Sequence, residues 1–588
     1  MAEKIVSPGV FTNEIDQSFI PAAIGELGAA IVGPTVKGPV LTPTVVSSFG
    51  EFTALFGDVI ESGSDKYQYL TSHTAQEYLR QGGPCTIVRV ADADAERASA
   101  IVWSGSYANH KHDDGGLDGS KKYFELEVLG DGPSFNNIAP SGSAAVGTDH
   151  ILAPRSNAVG NEHFNSGSFG GKSDNVRWEI SNRNLSKGTF TLLIRAGNDT
   201  IKKKQILETH ANLSFDPESN DYILKRIGNQ TNTIAVEEGL AYLQPVGDYP
   251  NKSKFVRIKD FPDNNKTPDY LDTNGNVDVA YANSASFFPN VGSGSFGGAF
   301  GGVAGQTSQT AGFFGNETVH PFGFYENISA TNSQGVKMAD SAVAMGASTV
   351  GGGYRTALSM LSNKDEYNFN LLFLPGVIDG LSNHSAVISH AIDVCESRTD
   401  CFLVIDSSSK TSAVADVLTT VKGRNSSYAA TYYPWVQVQD PILGTNRYVP
   451  PSVVIAGVYH FNDTVGQPWF APAGLNRGGI DTAIQAFKKL TQSQRDTLYD
   501  ANVNPIATFP GQGVTVFGQK TLQKKASALD RVNVRRLLIN VKSFIARSSR
   551  NLLFEQNTSD LRDQFLNTVN PFLEQVQSNS GLNAFRVV

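Results

Sequence analysis

Four groups of residues in this chain of 588 carry side chains that could do chemistry. Residues 166–173, SGSFGGKS, approach a phosphate loop, in which glycine-rich backbone amides cradle phosphates and a Lys, here Lys172, pairs the terminal one. The pattern asks for Gly where Ser166 stands, and DNVRWEI follows where an apolar helix should open, so the segment reads as a surface loop. His110, His112, Asp113 and Asp114 could ligate a metal, but no second cluster stands at a matching spacing and the surroundings are polar, which reads as solvated. Cys395 and Cys401 fit neither a zinc knuckle nor a redox CxxC, and both sit among apolar residues as core thiols. Asp406 ends the apolar run CFLVI, at the carboxyl edge where open α/β sheets place ligands. No glycine-rich turn, nucleophile elbow or partner His lies near it. It is therefore read as a carboxylate capping the next helix, with an α/β enzyme sited there as the competing reading. No catalytic residue, metal or cofactor is assigned.

Composition sets the frame for these residues. A chain this long suggests about four domains at roughly 150 residues each. Its net charge of −8, with 18% charged residues, argues against a whole-chain nucleic-acid binder, and 40% hydrophobic residues argue against wholesale disorder. Three Cys cannot frame a disulfide scaffold and point to maturation in a reducing compartment. No apolar run approaches the ~18 residues of a membrane span, and the first residues lack the apolar stretch of a secretory signal.

Patterning then gives the elements. Residues 1–92 read as an extended arm, strands and one helix: VFTNEI (Val10, Phe11, Thr12, Asn13, Glu14, Ile15) is a short strand, HTAQEYLRQGG a helix with its glycine stop, and CTIVRV a buried strand. From about residue 93 to 360 the texture turns to Gly, Ser, Asn and Asp with scattered strands such as YFELEVL, TFTLLIRA and KFVRIKD, which reads as inserted, mainly β material with low-complexity Gly/Phe loops. From Leu371 onward LLFLPGV, SAVISHAIDVCESR, CFLVID and SAVADVLTTVK alternate strand and helix, which favours a parallel sheet. Pro450 and Pro451 set a stop and open a helix. DTAIQAFKKLTQSQRDTLYDAN is expected to be helical throughout. Ile506 to Phe509 and Val514 to Phe517 form two arms of a hairpin around Pro-Gly-Gln-Gly.

The helix expected over residues 530–550 can be tested by angle. At ~100° per residue, Val534, Leu537, Leu538, Val541, Phe544 and Ile545 share one arc, while Arg531, Arg535, Arg536, Lys542, Arg547 and Arg550 share the opposite one. Between residues 520 and 550 the net charge is +8, so everything else nets −16. That asymmetry calls for an acidic or phosphate-bearing partner, with a solvated face or interior ion pairs for Arg535 and Arg536 as the alternatives. No aromatic interleaves the basic residues to stack bases, so direct nucleic-acid contact is disfavoured. The hairpin raises a second question, because two short strands are marginal alone and a free edge invites another chain. The arm could supply that strand within its own molecule or to a neighbour.

Ordered blocks carry a resemblance. They are SPGVFTNEID; GPVLTPTVVSSFGEFTALFG with QEYLRQGGPCTIVRV; ESRTDCFLVID; VPPSVVIAGVYHFNDTVGQPWFAPAGLNRGGI; NVNPIATFPGQGVTVFGQKTL; and DRVNVRRLLINVKSFIARSSRNLLFEQN. Over roughly residues 1–92 and 365–588 the chain resembles contractile tail sheath proteins of myovirus-type phages and related injection machines. The resemblance implies an α+β multidomain fold. Residues 1–22 would form an arm belonging to an inner domain, 23–92 and 361–479 a middle α/β domain, 93–360 the inserted mainly β outer region, and 480–588 an inner α/β-type domain facing a tube. It implies stacked hexameric rings of one subunit, built in the host cytoplasm into the virion tail, with the tail tube protein, baseplate and tail terminator proteins as partners. Val10 to Ile15 would exchange as a strand onto a neighbour's hairpin at Ile506, Phe509, Val514, Val516 and Phe517. Arg531, Arg535, Arg536, Lys542, Arg547 and Arg550 would face the tube. A further exchanged strand is expected past the position matching Val588. Work would then be mechanical, without nucleotide hydrolysis. The sheath of a bacteriocin or secretion-type injector fits the same residues.

Overall fold

Alternation of fully buried strands with half-buried helices builds the body of the protein. The computed structural model describes residues 28–35, 37–62, 65–90, 95–103, 122–131, 176–197, 199, 203–237, 240–272, 274–281, 287–296, 300–301, 353–381, 384–440, 444 and 446–587. They fall into two compact units, residues 28–540 and, among the described residues, 541–587.

The first unit opens with β1 (Gly28–Gly33), β2 (Thr44–Val46), α1 (Phe49–Phe56), β3 (Val59–Ser62), β4 (Asp65–Gln68), α2 (Leu70–Leu79) and β5 (Cys85–Arg89). A long excursion follows through β6 (Ala95–Trp103), β7 (Lys122–Asp131), β8 (Val176–Asn184), β9 (Thr189–Ala196), β10 (Ile206–Ser214), the short α3 (Ile223–Ile227), β11 (Thr231–Glu237), β12 (Leu240–Val246), β13 (Val256–Asp260), β14 (Gly292–Ser295) and β15 (Phe300–Gly301). The chain returns with α4 (Tyr354–Leu361), β16 (Phe369–Ile378), α5 (His384–Arg398), β17 (Phe402–Asp406), α6 (Val414–Lys422), β18 (Ala429–Tyr433), β19 (Val436–Gln439), β20 (Asn446–Val449) and α7 (Pro451–Val465). It continues with β21 (Ala483–Ala486), α8 (Gln492–Asp500), β22 (Val503–Phe509), β23 (Gly513–Val516) and α9 (Val532–Ser549), and α10 (Ser559–Ser578) follows.

Eight strands form one sheet in the order β2-β5-β1-β16-β17-β18-β22-β23. The five pairings from β5 to β22 are parallel, and only the outermost ones, β2 with β5 and β22 with β23, are antiparallel. Parallel sheets are stable when both faces are covered, and β1, β16, β17 and β18 are buried at every position. Alternate residues feed two cores. Leu372, Leu403 and Ile405 point to the side of α4, α5 and α6, with Leu358, Val387 and Val417. Leu371, Phe373, Phe402 and Val404 point to the side of α2 and α7, with Leu70, Tyr78, Val454 and Tyr459. The expected βαβα series is therefore present.

Among its described residues the excursion is mainly β and has its own aromatic core around Phe124, Phe190, Phe215 and Phe288. Phe215 lies 5.3 Å from both Phe190 and Phe288 by ring centroids. Gly188 holds φ +64 against Tyr270, and a Cβ there would meet the ring at 2.5 Å. Arg177 and Arg195 are fully buried around Asp199, to which Arg195 donates through Nε at 2.7 Å and Nη2 at 2.8 Å.

One expectation is corrected. The segment read as one helix splits: Ala483–Ala486 pairs with β19 as a strand, and the helix starts only at Gln492. There Thr491 accepts from the Gln494 amide and the Gln494 side chain accepts from the Thr491 amide, the reciprocal box that starts helices. The eight-stranded sheet continues across residue 480, since β22 pairs in parallel with β18. In the second unit, Phe544 stacks on Phe572 at 3.8 Å, and Val569, Leu573 and Val576 of α10 are buried.

Candidate functional site: a braced hairpin, buried carboxylates and a basic segment

The hairpin of β22 and β23 is covered within the chain along the outer edge of β23, whereas β22 meets β18 only at Val503, Asn504 and Pro505, ahead of the hairpin residues. Ile506 faces Val516 and Thr508 faces Val514, while on the far side β22 joins β18. The outer edge of β23 is met by residues 474–480 of the same chain. Ile480 N–H donates to the Val514 carbonyl at 2.9 Å, Val516 N–H donates to Gly478 at 2.7 Å, and Gly474 N–H donates to the Val516 carbonyl at 2.9 Å. Ile506, Val514 and Val516 are buried, whereas Phe517 is half exposed and packs 5.0 Å from Phe509, with the Arg495 guanidinium over both rings. The β23 edge at Val514 and Val516 is thus filled from within the chain, while Ile506 to Phe509 of β22 have no ladder partner on their far side among the described residues. Val10, Phe11, Thr12, Asn13, Glu14 and Ile15, the expected donors, lie outside the described residues, as do Lys172 with its glycine-rich loop and His110, His112, Asp113 and Asp114.

Asp406 stands at the carboxyl end of β17 as expected, but it is closed off. One carboxylate oxygen accepts from the Ser452 amide at 3.0 Å and the other from the Ser452 hydroxyl at 2.6 Å. Ser452 lies in the first turn of α7, which Pro451 opens, so the carboxylate caps that helix rather than the next one in sequence. Burial pushes its pKa up to about 7, against the lowering effect of the two Ser452 bonds. Next to it, Asp379 receives Arg424 from beyond α6, with Nε at 2.9 Å. Cys395 and Cys401 are both fully buried free thiols with their sulfurs 3.3 Å apart, in accordance with a core role.

The basic helix α9 is turned differently from the angular expectation. In the first unit its buried residues are Val532, Arg535, Arg536, Leu537 and Ile539. Val532 and Ile539 join the core on the side of α7, and Arg535 and Arg536 enter between them. Arg536 is 3% exposed and grips Asp463 with both terminal nitrogens, Nη1 at 2.8 Å, while its guanidinium lies 4.9 Å from the Tyr459 ring. Arg535 donates to the Ser427 hydroxyl and lies 4.1 Å over Tyr428. Arg531 contacts Tyr499 and Asp530. Arg535 and Arg536 therefore leave the set expected to face outward, because a carboxylate and two aromatic rings from distant segments receive them inside. In the second unit Lys542 and Arg550 are exposed and Arg547 is half-buried.

Sequence reading missed two further features. One is the buried His73, whose ring stands 3.8 Å from Asp440 and whose pKa burial pushes down to about 4 despite that carboxylate. The other is a cleft of about 610 Å³ between α6, α8 and the segment after β23, with Lys422, Lys520 and Lys524 among its lining residues. Clustering of Lys520, Lys524 and Lys525 was the available signal for the cleft; His73 and Asp440 are too far apart in the chain to give one.

Comparison with known proteins adds a family. Residues 348–522 match the model of the phage tail sheath protein central domain, a stretch running from α4 past β23. The chain is 41% identical over 143 residues to the tail sheath protein of Vibrio phage KVP40, covering 24% of this chain and 21% of that protein. It is 33% identical over 237 residues to the tail sheath protein of Enterobacteria phage T4, covering 37% and 36%. The chain thus spans about a fifth to just over a third of the length of these curated relatives. A crystal structure of a sheath tail protein from Listeria innocua aligns over 96% of this chain and 88% of its own at 9% identity, with a TM-score of 0.49.

Proposed function

We propose that the chain is a structural subunit of a contractile tail sheath, polymerising as stacked hexameric rings around an inner tail tube and contracting to drive that tube through a host envelope. The observation that carries this reading is the family match over residues 348–522, which falls on the α/β body of the first unit. The buried polar groups of that body support it, since Asp406, Asp379, Arg536 and Arg535 are spent on internal contacts that tie its helices and loops together.

The mechanism is mechanical. A head-to-tail contact that does not close on itself generates a filament. The arm of residues 5–15 pairs with a neighbouring subunit through main-chain hydrogen bonds, each contributing a net ~0.5–1.5 kcal/mol. Because residues 474–480 already engage Val514 and Val516 of β23, the part of the hairpin open to the arm is the far edge of β22 from Ile506 to Phe509. Subunits so tethered rotate as rigid bodies without separating. The extended array is held by a kinetic barrier, and a signal from the baseplate releases it into a more densely packed lattice. A tail terminator closes the distal end, and the virion tail is where the subunit resides after assembly in the host cytoplasm. Lys542, Arg547 and Arg550 remain the candidates for weak contact with an acidic tube.

The test is sedimentation with preformed tail tubes, followed by negative-stain imaging of the pellet. Striated sheaths around the tubes are expected. Protein that stays in the supernatant at every tube ratio, with bare tubes in the images, would reject the assignment.

A further inference from the structure

Residues 520–550 hold nine Lys or Arg and one acid, yet much of that charge is consumed within the molecule. Arg536 is taken by Asp463, Arg535 by Ser427 and Tyr428, and Arg531 by Asp530 and Tyr499. What the first unit leaves at its surface there is lysine. Lys520 and Lys524 line the cleft from the segment after β23, Lys422 lines it from the last turn of α6, and Lys525 follows exposed on the same segment. Two of these side chains are held in place: the Lys520 ammonium sits 4.5 Å from the Tyr499 ring centroid, and Lys524 donates to the Lys422 carbonyl. Among the described residues no ion pair engages Lys422 or Lys525. Leu418, Val421 and Leu522 supply apolar lining, and Asp500 and Asp530 are the acidic residues lining the cleft.

We propose that this lysine-rimmed cleft is a docking site for an acidic segment of a second copy of this chain. The inference rests on the reading of the chain as a self-assembling subunit. Charge complementarity selects the occupant: outside residues 520–550 the chain nets −16, so the rest of a second copy brings a net excess of carboxylates to a local excess of cations. The cleft's volume lies in the range that holds a few side chains, and its apolar lining suits aliphatic residues interspersed with carboxylates better than a bare anion. Because the cleft on one copy and the acidic segment on the next are different surfaces, the contact is heterologous and propagates instead of closing a dimer.

Full-length protein, half of it isotope-labelled, is polymerised and treated with a carbodiimide that joins amines to touching carboxylates. Mixed-isotope peptides linking Lys422, Lys520, Lys524 or Lys525 to Asp or Glu are expected. The variant Lys422→Glu/Lys525→Glu is expected to need about tenfold more protein to polymerise, at an unchanged urea midpoint, since two exposed pairs are reversed. Polymers without mixed-isotope links at these lysines, or a variant that assembles at the wild-type concentration, would overturn the docking site and leave the sheath reading standing. Should the Glu variant lower the urea midpoint, Lys422→Gln/Lys525→Gln decides the matter, with about threefold expected and no change overturning it. Wild-type protein that never polymerises overturns both.

Discussion

Replacing Arg536 by Ala is expected to destabilise the first unit by about 3 kcal/mol or more. The side chain is 3% exposed and its partner Asp463 19% exposed, so the pair lies mostly out of water. Removing one member of a buried pair leaves the other charge uncompensated, at a cost of ~3–5 kcal/mol. The partial opening of Asp463 to solvent places the value at the lower end, and loss of the Tyr459 ring contact adds ~0.5–1 kcal/mol. Replacing both members, Arg536→Ala with Asp463→Asn, removes the stranded charge and should recover part of the loss, giving a coupling of roughly 2 kcal/mol in a double-mutant cycle completed by Asp463→Asn alone. Urea unfolding followed by the fluorescence of Trp435 and Trp469, both buried, reads the effect. A single-variant loss below about 1 kcal/mol, or two single effects that simply add, would refute the reasoning and return Arg536 to the outward basic arc.

Three further outcomes are expected. The folded Asp406 carboxyl is raised to about 7 from 3.8, so the folded state holds a proton that the unfolded chain has lost between those values. Its stabilising contribution is full below about pH 3.8 and fades as pH rises through 7, hence Asp406→Asn should gain on the wild type from pH 4 to pH 8; parallel urea midpoints across that window would contradict this. Gly188→Ala should destabilise the inserted region by ~1–3 kcal/mol through its positive φ and the Tyr270 ring, with hydrogen exchange accelerated in β8 and β9 but not in β16 to β18. Deleting residues 1–16 should abolish polymers while leaving the urea midpoint of the remaining chain unchanged, and normal polymers from the deletion would reject arm exchange.

Much of the sheet was legible because its information is local. Runs such as CFLVID and LLFLPGV are apolar on both faces, and only a doubly covered strand tolerates that. Pro451 marked the start of α7 to the residue, since its ring fits a first turn and little else. What escaped depends on partners distant in sequence. AIQA has no strand signature of its own and is a strand because β19 pairs with it. The angular test of α9 sorted residues by polarity, and Leu537 of its apolar arc is buried, but Asp463, 73 residues away, draws Arg536 inward, so Val532, Arg535, Arg536 and Ile539 are buried as well. The hairpin was found from its two apolar arms; that residues 474–480 brace its outer edge could not be seen, because a glycine-rich segment with no periodicity carries no pairing signal. Asp406 was placed at the right sheet edge, yet the helix it caps is α7, which follows the expected α6 only after β18, β19 and β20.

The proposed sheath subunit would store and release work by repacking, without chemistry. The direct measurement is the length of purified sheath-covered tubes, imaged before and after mild denaturant in nucleotide-free buffer. The account predicts that each sheath shortens in one all-or-none step and widens, with its subunits still joined. Sheaths that fall apart into monomers, or that shorten only when a nucleoside triphosphate is added, would contradict it.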